Sequence, residues 1–175
     1  EAGPVVAIGA PLSVFFCPTR RPPQTIMGPD NYIPPLTGGE ITRALSDYAA
    51  SNRRLTGVVR RYQPLRIAQI IDGTSHTLAV AEKRLNLARL GEAQDDDNEG
   101  YTVGWNEDTI RKTSDPPKPD FYGDGDGEKL FGSSHPGIIN AVLADGSVQQ
   151  IAFDIGEDEF DALGNVADGT TSDQP

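Results

Sequence analysis

Three carboxylates at alternate positions, Asp124, Asp126 and Glu128, stand on a glycine-rich backbone in the run Asp124-Gly125-Asp126-Gly127-Glu128. Hard cations such as calcium take several oxygens at adaptable geometry, backbone carbonyls included, so the run is a candidate calcium site, to be weighed against a plain solvated acidic turn. It is not an EF-hand: setting Asp124 and Asp126 at the third and fifth loop positions puts Tyr122 first and Ser133 twelfth. Asp95-Asp96-Asp97 is a second, weaker candidate. Groups for acid–base or nucleophilic chemistry are scarce. His76 and His135 are the only histidines and Cys17 the only thiol, and no nucleophile elbow, Walker loop, zinc-ligand spacing or dinucleotide fingerprint occurs. Nothing selects a glycosidase pair from 26 acids. The chain is therefore expected not to be an enzyme.

His135 lies just before the plainest structural signal in the chain. Ile138 to Ala144 and Ser147 to Phe153 are apolar, β-prone runs separated by Asp145-Gly146, the dipeptide that best supplies the positive φ angles of a two-residue hairpin turn. With the first run extended, His135 and Asp145 sit at opposite ends of a strand, on the order of 30 Å apart, and form no dyad. His135 is expected to be structural, its ring hydrogen-bonding the Gly132 to Pro136 bend against the sheet. Cys17, after Val14-Phe15-Phe16, reads as a small buried hydrophobe, and a lone cysteine excludes an intrachain disulfide.

The elements that must position these residues follow from composition and pattern. With 175 residues, 37% of them hydrophobic, the chain can bury one core, and 19 Gly with 14 Pro favour sheet and irregular connections over a helical bundle. One domain is expected over residues 1–165, with an acidic loop insertion at 92–128 and a frayed tail at 166–175. Pro18 to Leu36, with six prolines, reads as an irregular surface segment. Gly38-Gly39-Glu40 opens a short helix through Ala44 to Ala50. Leu55 to Tyr62, Arg66 to Ile71 and Thr77 to Arg84 are β-like, the last two joined by the turn Asp72-Gly73-Thr74-Ser75. Glu157 to Leu163 suits a short helix with acids in its first turn and Gly164 as its stop.

The insertion is too long for an ordinary connection, which makes it a functional loop or a partly disordered one. Tyr101, Trp105, Phe121 and Tyr122 favour a loop folded onto the sheet, and the same four could form an aromatic platform for a glycan or another solute. The net charge of −11 is uneven: residues 1–91 carry 11 Lys or Arg against 6 acids, and residues 92–128 carry 3 against 12. Arg20-Arg21, Arg53-Arg54, Arg60-Arg61 and Lys83-Arg84 come as doublets, so the basic half can meet the acidic insert of its own chain or of a neighbouring subunit, or stay solvated. Overall acidity argues against nucleic acid.

The pattern His135-x(9)-Asp145-Gly146, preceded by Phe131-Gly132-Ser133, resembles the C-terminal signature of a prepilin-type family of pseudopilin-like surface proteins abundant in planctomycetes and sometimes labelled extracellular solute-binding. Ile70-Ile71-Asp72-Gly73-Thr74-Ser75-His76-Thr77-Leu78-Ala79-Val80-Ala81-Glu82-Lys83, Phe16-Cys17-Pro18-Thr19-Arg20-Arg21, Asp47-Tyr48-Ala49-Ala50-Ser51 and Phe160-Asp161-Ala162-Leu163-Gly164 match in the same order, over roughly residues 15–165. The resemblance implies an α+β, β-rich, pilin-like head at the cell surface or outside the cell, with an antiparallel sheet of hairpins, a long acidic loop and a short C-terminal helix. It implies a filament or pseudopilus subunit that self-associates or joins other pilin-like subunits, with a surface-displayed or secreted glycan- or solute-binding module as the other reading. It further implies calcium in a C-terminal loop. Membrane contact is expected only through an N-terminal helix that this chain lacks, since Glu1 to Pro23 is too short and too interrupted by prolines to span a bilayer.

Overall fold

The computed structural model describes residues 3–52, 56–167 and 169. Along the chain run α1 (Gly3–Ile8), β1 (Thr25–Pro29), β2 (Glu40–Ala44), β3 (Tyr48–Ser51), β4 (Leu78–Glu82), β5 (Ile110–Arg111), β6 (Lys118–Pro119), β7 (Gly132–Ser133), β8 (Ile138–Leu143), β9 (Val148–Ala152) and α2 (Glu157–Leu163). The architecture is α+β and β-rich, as expected. Its central sheet, ordered β5-β3-β4-β8-β9, is mixed, because β5 runs parallel to β3, and β6 and β7 form a separate parallel pair. The expected purely antiparallel sheet of hairpins is corrected to this extent.

Strand alternation sends one set of side chains to each face of the central sheet. On one face Ala49, Ala81, Ile139, Ala141 and Ile151 are buried under Phe131 and the α2 residues Phe160 and Leu163. Phe131 and Phe160 meet edge to face, with centroids 6.1 Å apart. Burying Phe160 completely contributes about 1.5–3 kcal/mol, which explains how a seven-residue helix is held. The opposite face carries Tyr48, Val80, Asn140, Val142 and Val148, which with Val14 and Phe15 line an apolar groove of about 380 Å³. A smaller sheet, β1 with β2, buries Ile26 and Ile41 beside Phe16 and Leu45.

The hairpin pairs Ile138 with Ala152 through Val142 with Val148. Its turn differs from the two-residue form: Leu143 N–H donates to Ser147 O and Gly146 N–H to Leu143 O, leaving a three-residue loop of Ala144, Asp145 and Gly146. Of these only Gly146 has positive φ (88°), as in a type I turn closed by a glycine bulge. The C-terminal helix ends at Gly164 as expected.

Elsewhere the local expectations give way. The helix expected over residues 44–50 is β2 running into β3; the alternation of Tyr48-Ala49-Ala50-Ser51, half-buried then buried, fits a strand between two neighbours. The prolyl segment 18–36 contains β1. Residues 66–71 form a single 3-10 turn at Ile67–Gln69 in place of a strand, so no hairpin joins them to β4. Residues 56–62 hold no strand, and Leu55 lies outside the described residues. Of the expected frayed tail, Val166 is buried and donates its N–H to Thr56 O; residues 168 and 170–175 lie outside the described residues.

Candidate functional site

The 92–128 insertion is folded onto the sheet through β5, yet aliphatic packing is not what anchors it. Arg20, Arg21, Lys83 and Arg111, with side chains at most 1% exposed, meet Asp47, Asp96, Asp97 and Asp120, equally buried. Arg21 Nη1 lies 2.6 Å from Asp97, Lys83 Nζ 2.9 Å from the same carboxylate, and Arg111 Nη1 2.7 Å from Asp96. Arg20 Nε donates to Asp120 over 2.8 Å, and Arg21 Nε to Asp47 over 2.7 Å. Asp96 also accepts from the backbone N–H groups of Gly127 and Lys129, which draws the far end of the insertion inward. The basic first half thus meets the acidic insert of its own chain. Asp96 and Asp97, the weaker calcium candidate, are engaged by these cations, and only Asp95 is exposed.

Burial alone would raise the Asp97 carboxyl, but Lys83 and Arg21 outweigh it and hold the group down at about 2. A carboxyl near 3.9 in the unfolded chain and near 2 in the folded one adds stability above pH ~4 that is lost as pH falls through ~2. Thermal melts in acid are expected to show the melting temperature falling across that window; a flat profile from pH 5 to 2 would remove Asp97 from the role. Asp108 is opposite in sign. Burial lifts its carboxyl, although Oδ1 accepts from the N–H groups of Asn98, Glu99 and Gly100.

The residues singled out in the sequence lie in different surroundings. Asp124 is exposed, Asp126 Oδ1 accepts from Glu128 N–H, and the Glu128 carboxylate is engaged by Arg84, with Lys118 Nζ 3.7 Å away. Tyr101 stacks on Phe15 at 4.5 Å, and its hydroxyl reaches the carbonyl oxygens of Ala7 and Ala10. The Arg84 guanidinium covers the Phe121 ring, while Tyr122 faces solvent. Trp105 lines a hollow of about 290 Å³ with Asn52, Asn106, Glu107, Ile110 and Lys112. Arg53 and Arg54 lie outside the described residues; Arg60 bonds the carbonyls of Thr56 and Gly57, and Arg61 covers Tyr62.

Asp145 accepts from Ser147 N–H and Oγ–H, and these two bonds lower its carboxyl; its own N–H donates to Thr74 O. His135 is far from it, at the other end of β8. The ring does not bond its own bend. Its Nε2 lies 3.5 Å from Cys17 Sγ and 3.2 Å from Glu82 Oε1. The bend is held instead by Ser133 Oγ, which accepts from His135 N–H and donates to Ile138 O. Among the described residues this is the one place where three Cys, His, Asp or Glu donors converge, all within 4.8 Å of one another. Cys17 is buried as expected, but its setting is polar: burial first, then the neighbouring Glu82 carboxylate, push the thiol up. Sequence reading missed Glu82 altogether, since it and Cys17 reach His135 only through the fold.

A cysteine, a histidine and a carboxylate in contact invite comparison with a nucleophilic triad. In such a relay the base takes the nucleophile's proton on one ring nitrogen and is held by the carboxylate on the other. Here a single nitrogen, Nε2, faces both partners, and the thiol is shifted away from thiolate. Among the described residues no catalytic arrangement is evident, and no helix is long and apolar enough to cross a membrane.

No curated protein and no solved structure matches the chain. One family model does, over residues 2–158: SBP_bac_10, described as a protein of unknown function (DUF1559). By its name it is of a solute-binding type, and it is not a pilin or pseudopilin family, which overturns the expectation of a pilin-like head, a filament or pseudopilus subunit and a part in type II secretion. With most of its length matched, the chain belongs to the SBP_bac_10 family of proteins of unknown function.

Proposed function

We propose that this protein is a non-catalytic binding module, displayed at the cell surface or secreted, that takes a glycan or a related polyhydroxylated solute in the hollow at Trp105. The observation that carries the reading is the composition of that hollow: one indole surrounded by Asn52, Asn106, Glu107 and Lys112, with Ile110 alongside. An aromatic face accepts the C–H face of a sugar ring, while amide, carboxylate and ammonium groups address its hydroxyls. A mostly rigid floor favours binding, because less ordering is required of the site. β5 supplies that floor, with Ile110 in register with Ala50 of β3, and Lys129 anchors Glu107 over 2.8 Å. The family's solute-binding type supports the same reading.

Trp105 is the only tryptophan, so its fluorescence reports on this hollow alone. Titration with soluble glycans that score on a broad array is expected to shift the emission. Trp105→Ala is expected to weaken binding at least about tenfold, as for an aromatic hot spot, while leaving the melting temperature within a degree or two. An array without hits, or affinity unchanged in Trp105→Ala, would remove the hollow from consideration.

A further inference from the structure

We propose that Cys17, Glu82 and His135 form a mononuclear site for a borderline divalent cation, zinc above all, with three protein donors and a fourth position open on the His135 side. The donor set is the first argument. Thiolate, imidazole and carboxylate are the three ligand types that zinc takes, and the Cys17 thiolate, formed as the entering cation displaces the thiol proton to water, balances the ion's two charges together with the Glu82 carboxylate. Distances are the second. Tetrahedral bonds of about 2.0–2.3 Å place neighbouring donors about 3.3–3.6 Å apart. Sγ to Nε2 is 3.5 Å and Nε2 to Oε1 is 3.2 Å, so a cation enters with little movement of either pair.

The third argument is the state of Glu82, 1% exposed on the groove side of β4, opposite Tyr48 in register. Its Oε2 is fully used, accepting from Asn140 N–H over 2.7 Å and from Asn140 Nδ2 over 3.3 Å. Its Oε1 is buried and among the described residues accepts no hydrogen bond of normal geometry, although Nε2 of His135 is near. A buried carboxylate oxygen left so is costly unless a cation or a proton serves it. Asn140 holds the carboxylate as an outer-shell partner holds a metal ligand, and Asp47 does the same for Cys17 by accepting its backbone N–H over 2.8 Å. The nearby Arg20 charge does not oppose a cation strongly, because Asp120 and Asp47 neutralise it. Entry is open: the His135 side chain is 22% exposed, whereas Glu82 is sealed.

The site is independent of the Trp105 hollow and is tested with cobalt(II) as the spectroscopic stand-in for zinc. The full chain, stripped by a chelator, is expected to take up one equivalent of cobalt with a thiolate-to-metal charge-transfer band and visible bands of tetrahedral intensity, both abolished by added zinc. Zinc is expected to raise the melting temperature of the wild-type chain. Cys17→Ser is expected to lose the charge-transfer band, Glu82→Gln and His135→Gln to weaken cobalt binding about tenfold or more, and His76→Gln to change nothing. A folded wild-type chain that shows no charge-transfer band overturns the proposal without recourse to any variant. So does undiminished cobalt affinity in Cys17→Ser, which would place the ion among surface carboxylates.

Discussion

Asp97→Ala is expected to lower the unfolding free energy by about 3–5 kcal/mol, the usual cost of orphaning one side of a buried ion pair. The carboxylate serves two cations at once, Arg21 at 2.6 Å and Lys83 at 2.9 Å, in a region from which water is excluded. Arg21 keeps Asp47 and the Ser46 carbonyl, but among the described residues Lys83 Nζ keeps only the Asp96 carbonyl at 3.5 Å. The penalty thus falls mostly on one stranded ammonium. Adding Lys83→Met to Asp97→Ala is then expected to recover part of the loss, which no account based on a removed contact would predict. Glu92→Ala, which breaks the exposed pair with Arg89, is expected to cost under about 1 kcal/mol. Urea unfolding of the four proteins decides it: a loss for Asp97→Ala as small as that for Glu92→Ala would show that Lys83 finds water.

Gly132→Ala is expected to destabilise by about 1–3 kcal/mol through overpacking. A β-carbon there would sit 2.1 Å from the Lys118 carbonyl oxygen and 2.7 Å from Arg84 Cβ. Neither neighbour yields easily. The Lys118 backbone is the strand partner of Gly132 in the β6–β7 pair, and Arg84 is fixed by its hydrogen bond to Pro119 O and its place over Phe121. Gly146→Ala makes the informative comparison, because its β-carbon meets nothing within 4 Å among the described residues and its cost, about 1–2 kcal/mol, comes from positive φ alone. Matching crystal structures would separate the two causes: β6 and β7 spread apart in the first, the turn alone altered in the second. An unchanged β6–β7 spacing at unchanged stability would contradict the close-packing account.

What could be read from the sequence was whatever neighbouring residues decide among themselves. The Ile138–Phe153 hairpin rests on strand alternation around Asp145-Gly146, and α2 on acids in its first turn with Gly164 behind it. Even here the turn came out one residue longer than expected, because Asp-Gly suits both a two-residue turn and a type I turn closed by a glycine bulge, and the docking of Ala144 and Asp145 on Thr77 and Thr74 is a tertiary matter. Residues 44–50 show the limit more sharply. Alanines permit a helix there, and strand neighbours on both sides, β4 and β5, override that propensity.

Composition and short motifs by themselves gave a β-rich chain with a hairpin after His135, a closing helix and opposite charges that could pair within the chain; they favoured a folded acidic insertion over a disordered one, and the family resemblance they carry implied the α+β class. Tertiary structure alone decided that Arg21, Lys83, Asp96, Asp97 and Arg111 are interior, that the four aromatics have separate surroundings, and that Cys17 and Glu82 converge on His135. The physical reason is common to all three. The groups that meet come from segments far apart along the chain, Cys17 and His135 by 118 residues, so neither the partner that lets a charge be buried nor the surroundings of a ring or a thiol can be read from local sequence.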